Sequence, residues 1–419
     1  MFECPTFNIN ARFFQLALSL LLGVASCEWS VASEAIQVEM TPEHWQADGQ
    51  VSFHKNERYP HGVMQVTGAG AILKDTTFGN GTIEYNVNED GDEEETSGIW
   101  FRRQSAEVAE DFYLRPFADC ASTAECVQYA PVSRGNVQWD VYPEYEAAAP
   151  VKLQGWNHVK LVISGKRMNV FINGEAKPSL VVGCLGGEFP TGGIQLRGNA
   201  LYANLTLAPG VVDGLSEAPL EDPTDSDPRY VRHWRLASIL SLPRGQSPQV
   251  SAMPSAAASW RALDAERKGF VNIGRRNGTP QGVPDLAWLK TSIESDRAQT
   301  RHVAIGWVRQ IWVYVNGTQV FAGNNVYYPE SARTPPLGRL SLENGSFDLP
   351  LRKGTNEVEV AISDDLGHIR HWGWGYQLRL DDTQGISFPG DAKVNSPAST
   401  TPVRVDVTPM SVGAHSSTH

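Results

Sequence analysis

From Val38 to about Leu207 apolar and polar residues alternate in short runs, each closed by Gly, Asn, Asp or Pro. Successive side chains of a strand point to opposite faces, so a period of two predicts half-buried strands. Gly81–Val87, Gly98–Arg103, Trp156–Ser164, Met168–Ala176, Gly193–Arg197 and Ala200–Leu207 read this way. The fourth run enters Asn173-Gly174, a pair that tolerates the positive φ of a type I′ hairpin turn. Hardly any stretch carries a helical period. Short strands at this spacing predict an all-β chain built on an antiparallel sandwich.

The pattern resumes between Arg229 and Pro389, with Ala304–Arg309, Gln310–Phe321 around Asn316-Gly317, Gly354–Ser363 and Gly375–Leu380. Between the two blocks, Asp213–Pro228 holds six acidic residues, no basic one and three prolines. Such a segment has little apolar surface to bury, so 209–228 is expected to be a linker. The organisation expected is a first β domain over 38–208, the linker, a second β domain over 229–389, and a disordered Ser/Thr/Pro-rich tail over 390–419.

The N-terminus differs. Phe13–Ser26 is an apolar run behind Arg12, too short to span a bilayer comfortably, and fits the hydrophobic region of a secretory signal over 1–33. Two processing readings stand side by side. Val24-Ala25-Ser26-Cys27 has the form of a bacterial lipobox that would leave a lipidated Cys27, and Val31-Ala32-Ser33 has the form of an ordinary cleavage site. Either way the chain is expected to be exported, secreted or periplasmic or held at the cell envelope, with a lipid anchor as its sole membrane contact.

Charge narrows the partners. The 419-residue chain carries a formal net charge of −12, which excludes the basic footprint of a nucleic-acid binder. Of five cysteines, Cys120 and Cys126 lie in a polar loop and suit a small disulfide in an oxidising compartment, leaving Cys184 as a free thiol. No CxxC pair, GxSxG elbow or HExxH motif occurs. The acidic run Asn88–Glu95 offers oxygens to Ca2+, but its spacing is not that of an EF-hand and a solvated hairpin loop accounts for it. No other cofactor or metal is expected. His368 and His371 with Trp372, Trp374 and Tyr376 form either a glycan platform or packed loop residues.

Ser97-Gly-Ile-Trp-Phe-Arg102, Asp111-Phe-Tyr-Leu-Arg-Pro116, Val127-Gln-Tyr-Ala-Pro-Val132 and Trp139-Asp-Val-Tyr142 stand in order before Trp156-Asn-His-Val-Lys160, the Phe171-Ile-Asn-Gly174 hairpin and Gly193-Ile-Gln-Leu-Arg-Gly198. This series resembles the concanavalin A-like lectin/glucanase superfamily, most closely its laminin G-like bacterial domains and its exported 3-keto-disaccharide hydrolase domains. Val313-Tyr-Val-Asn-Gly317, Val320-Phe321 and Leu351–Val358 make the second domain similar to galactose-binding-like jelly rolls. The resemblance implies a concanavalin A-like jelly-roll sandwich followed by a second β-sandwich. Both folds often bind glycans, and neither fixes a function.

If the resemblance also gives strand adjacency, one face emerges. Ile99, Phe101, Phe112, Leu114, Val127, Tyr129, Val137, Trp139 and Val141 would face the core, and Trp100, Arg102, Tyr113, Arg115, Gln128, Gln138, Asp140 and Tyr142 would line the other side. Rings stack on sugar C–H faces while Arg, Asp and Gln bond hydroxyls, so this set suits a carbohydrate groove. The competing account is a solvated face with an Arg–Asp pair. Glucanases of this fold place a nucleophile, a helper Asp and an acid/base along one strand. Here Gln138 stands where the nucleophile would be, and Glu144 comes one residue late, against a retaining pair. The expectation is therefore a non-catalytic, lectin-like groove. The alternatives are a glycoside or 3-keto-disaccharide hydrolase, with Asp140 and Asp111 as its acids, and a protein-binding adhesive module.

Overall fold

The computed structural model describes residues 34–89, 96–278, 283–365 and 372–389. The signal segment with Cys27, most of the acidic run, His368, His371 and the C-terminal tail lie outside the described residues.

Residues 36–209 form one continuous antiparallel ladder. Asn157–Ser164, Gly81–Glu89, Ala200–Pro209 and Tyr59–Leu73 lie side by side, followed by Gly193–Arg197, Ser97–Ser105, Val108–Leu114 and Val127–Ser133. The ladder curls so that its two halves share one buried cluster, Ile83, Tyr85, Leu161 and Ile163 from one half with Ile99, Phe101, Phe112, Leu114, Val127 and Tyr129 from the other. These last six are the alternating positions expected to face inward. Asn173 and Gly174 both take positive φ, 52° and 79°, as the hairpin requires.

The second domain stacks two antiparallel sheets. The larger runs Arg261–Asp264, His233–Leu236, Asp285–Ser295, Gly354–Ser363, Arg309–Val315, Thr318–Asn325, and the smaller Val271–Asn272, Gly375–Leu380, Gln299–Trp307, Gly345–Leu351. Leu289, Val313 and Val360 of the first meet Val303, Ile305 and Leu378 of the second in one core. Val315 pairs with Thr318 across Asn316-Gly317, again with φ of 49° and 79°. The chain is all-β, a jelly-roll sandwich architecture whose only helical segments among the described residues are short 3-10 turns. No helix among the described residues is long and apolar enough to cross a membrane.

Two expectations are corrected. The segment 210–228 is not a free spacer. Its backbone is held by Lys166 N–H donating to Glu217 O (2.9 Å) and Leu220 N–H donating to Gly183 O (2.8 Å). Arg267 donates to Leu220 O and Glu221 O (2.6 and 2.9 Å), and Lys268 N–H donates to Asp222 Oδ2 (2.8 Å). The acids and carbonyls that made it look unpackable find cationic and N–H partners on both domains. Secondly, the run 137–142 is not a strand beyond Asn136–Val137. Trp139 therefore leaves the expected core side and packs against Tyr113 and Ala130 on the outer face.

The domains consequently dock. Asp140 of the first meets Arg309 of the second at 2.8 Å, with both side chains essentially inaccessible. Arg339 reaches Glu125 and Glu146 at 2.7 and 2.8 Å, and Asn272 donates to Gln138 Oε1 (2.8 Å).

Candidate functional site

Strand register places two rows of side chains on the outer face of the first domain. Gln195, Trp100, Asp111 and Ala130 lie opposite one another across four strands. The next row is Arg197, Gly98, Tyr113, Gln128 and Glu146. Gly98 has a neighbour's backbone where a Cβ would stand, 2.1 Å from Phe112 O, so only glycine fits between Arg197 and Tyr113.

Arg197 closes a two-pronged pair across the rows. Its Nε donates to Asp111 Oδ1 (3.0 Å) and its Nη2 to Oδ2 (2.7 Å), while the guanidinium lies 5.0 Å from the Tyr113 ring centroid. Asp111 is buried. Desolvation pushes its carboxyl pKa up, and the Arg197 charge pulls against that. Fork-to-fork geometry of this kind fixes both partners in one plane.

The two halves of the face differ. Around Trp100 it opens into a cleft of about 480 Å³ lined by Asp48, Gly68, Thr96, Gln195, Arg197 and Asn199 among others. Gln195 Nε2 donates to Ala69 O (2.9 Å), and its buried Oε1 has no hydrogen-bond partner among the described residues. Around Tyr113 the face is closed. Tyr113 O–H donates to Gln128 Oε1 (2.6 Å), Arg115 Nη2 donates to the same oxygen (2.8 Å), and Gln128 Nε2 donates to Trp139 O (2.8 Å). Trp139 is then covered by Tyr327 and Trp372 of the second domain, each 4.9 Å away and edge-on, with the Arg339 guanidinium 4.5 Å above its ring.

The eight residues expected to line one groove are therefore dispersed. Trp100 lines the open cleft. Tyr113, Arg115 and Gln128 form the network beneath the docked domain. Gln138 and Asp140 are sealed in the domain interface, which removes Asp140 as a groove acid. Tyr142 lines a different cavity, where its hydroxyl donates to Glu266 Oε2 (2.6 Å). Arg102 points elsewhere altogether. A bulge after Phe101 and a φ of 49° at Arg102 break the alternation, and its guanidinium bonds Gly165 O, Gly79 O and Asn80 Oδ1. Asp111 is buried and does not line the cleft, and both its oxygens are taken by Arg197.

The sequence reading missed Gln195, Arg197, Asn199, Thr96 and Asp48. A signal existed for the first two, because Ile194 and Leu196 are buried core residues and alternation sends their neighbours outward. Cys120 and Cys126 are disulfide-bonded, and Cys184 is free and half-buried. Among the described residues no three His, Cys, Asp or Glu side chains converge as a metal-ligand set.

With this geometry in place, comparison with known proteins concerns the first domain. Residues 39–201 match the family described as the 3-keto-alpha-glucoside-1,2-lyase-like domain. Trp100, Asp111, Gln195 and Arg197 all fall within the matched residues. Similar solved structures include a carbohydrate-binding module, CBM66, from Bacillus subtilis, 14% identical over 42% of this chain and 98% of that one, with a TM-score of 0.29. A protein of unknown function with a galectin-like fold, also from Bacillus subtilis, is 12% identical over 42% and 96%, with a TM-score of 0.32. The exoplasmic/lumenal domain of VIP36, in a form bound to Ca2+ and Man3GlcNAc, is 12% identical over 46% and 92%, with a TM-score of 0.29. No curated protein sequence matches the chain.

Proposed function

We propose that the chain is an exported carbohydrate-binding protein whose non-catalytic, lectin-like site is the open half of the first domain's outer face. The observation that carries this reading is the Trp100 ring beside Arg197, which the buried Asp111 holds in place, in the 480 Å³ cleft. An indole stacks on the C–H face of a sugar ring, and the Arg197 guanidinium beside it donates to sugar hydroxyls. Asn199, Thr96 and Asp48 add polar groups at the rim. Export rests on the apolar run Phe13–Ser26 and either processing site that follows it.

The match to the lyase-like family favours one second reading, elimination from a 3-keto-α-glucoside. There a base takes the C2 proton that the ketone acidifies, a C1=C2 double bond forms, and the C1–O bond breaks, its electron pair leaving with the aglycone oxygen, which takes up a proton and departs as an alcohol. With Asp111 buried and both its oxygens engaged by Arg197, Asp48 is the carboxylate that lines the cleft. Binding is the stronger reading because the buried carboxylate is committed to its ion pair.

The test is a glycan array with the full chain, followed by calorimetry on the hits and mass spectrometry of each glycan after exposure. Trp100→Ala is expected to weaken binding at least about tenfold, roughly 1.4 kcal/mol, with every glycan recovered intact. Unchanged affinity would remove the cleft from the account. An unsaturated 3-keto product together with the freed alcohol from a 3-keto-α-glucoside, both lost in Asp48→Asn, would replace the binding reading with the lyase one.

A further inference from the structure

A second cavity lies elsewhere, at the junction of the two domains. It encloses about 740 Å³, within the range of small-molecule sites, and its walls come from three parts of the chain. The first domain contributes Tyr142, Tyr145 and Cys184, the strap formed by the connecting segment 210–228 contributes Thr224, and the second domain Glu266, Lys268, Phe270 and Arg275.

Its chemistry is specific. Tyr142 and Tyr145 stack at 6.2 Å with 17° between their planes, and Phe270 meets Tyr142 edge-on at 5.7 Å, so one wall is aromatic. Four of the five charged side chains in its lining are paired in place. Glu266 is held by Arg275 at 2.5 Å, with the Tyr142 hydroxyl donating to its other oxygen, and Glu144 is held by Lys268 at 3.1 Å. A cation would have to break one of these pairs to be matched, and the remaining guanidinium, Arg267, is already turned to the carbonyls of Leu220 and Glu221. A neutral ligand need break no pair, and it could still bond the exposed edges of Lys268 and Glu144, together with Ser341 and Gln377. Flat aromatic surface beside internally balanced donors and acceptors is the environment that a neutral sugar fits.

We propose that this interdomain cavity is a second binding site, for a neutral mono- or disaccharide, separate from the Trp100 cleft. Because both domains and the strap line it, the bound sugar is held between them. The inference is independent of the function proposed for the cleft.

Cys184 provides the readout, since it lines the cavity and is a free, half-buried thiol. The full chain is treated with N-ethylmaleimide, alone and with glucose, maltose, sucrose, trehalose or indole, and modification of Cys184 is followed by peptide mass spectrometry. At ten times its Kd a bound ligand leaves about one site in eleven empty, so alkylation slows about tenfold. The expected result is protection by at least one sugar in the wild type and equally in Trp100→Ala, with loss of protection in Leu342→Trp, which fills the cavity. Should Leu342→Trp fail to fold, Lys268→Met at a half-exposed side chain removes the ammonium that a sugar hydroxyl would bond and is expected to weaken protection. Protection by no sugar, or by indole alone, overturns the proposal. Protection that disappears in Trp100→Ala assigns the sugar to the cleft and overturns it as well.

Discussion

At the scale of single residues, the first domain depends on charges taken out of water and matched one to one. Arg197 and Asp111 are such a pair, with side-chain exposures of 17% and 1%. Removing one partner leaves the other buried and unmatched, so Arg197→Met is expected to lower stability by about 3 kcal/mol in urea unfolding. Arg197→Met combined with Asp111→Leu should recover much of that loss, because an apolar pair does not need neutralising. A second residue-scale prediction concerns Asp364. Burial pushes its carboxyl up to about 7, with Asp285 and Asp365 adding repulsion against the Asp285 N–H bond and the Arg309 charge. Between the ordinary carboxylate pKa and about 7 the folded state binds a proton that the unfolded state has lost. Stability contributed by this group is therefore present at low pH and falls as pH rises across that window. Asp364→Asn should flatten the pH dependence of Tm between about pH 4 and 7. A slope identical to wild type would show that Asp364 ionises normally.

At the scale of elements, local pattern was a good guide wherever the ladder is regular. Ile99, Phe112 and Tyr129 went inward and Trp100 outward, because a pleat allows no other choice. The pattern failed at Arg102, where a bulge turns the side chain, and past Val137, where the strand ends and Trp139 moves to the outer face. Neither event has a period to read. The Cys120–Cys126 loop makes an element-scale prediction. A disulfide closing so short a loop removes modest chain entropy, so its reduction should lower stability by about 2 kcal/mol in denaturant titration. Ligand affinity at the Trp100 cleft should be unchanged, since neither cysteine lines it.

At the scale of the whole molecule, the interface decides behaviour. The inaccessible Asp140–Arg309 pair, the Arg339 bonds to Glu125 and Glu146, and the aromatic packing on Trp139 couple the two sandwiches. Calorimetry is expected to show one unfolding transition for both domains. Arg309→Met strands a buried carboxylate and should cost about 3–5 kcal/mol. It should also split the transition in two, as the first domain is freed from the second. Two transitions already present in the wild type would mean that the interface is too weak to couple them.

What the sequence determined by itself is what short-range physics controls: an all-β chain, strands with a defined inner face, Asn-Gly turns at Asn173 and Asn316, and a cysteine pair close enough to bond. Tertiary structure alone decided which part of the outer face stays open. Trp100 and Tyr113 are equally outward by alternation, yet one lines a cleft and the other lies beneath Trp139, Tyr327 and Trp372. That difference is made by partners far away in the chain, Asp140 with Arg309 and Glu146 with Arg339, and whether an outward side chain is covered depends on the surface that docks on it, which no local period encodes.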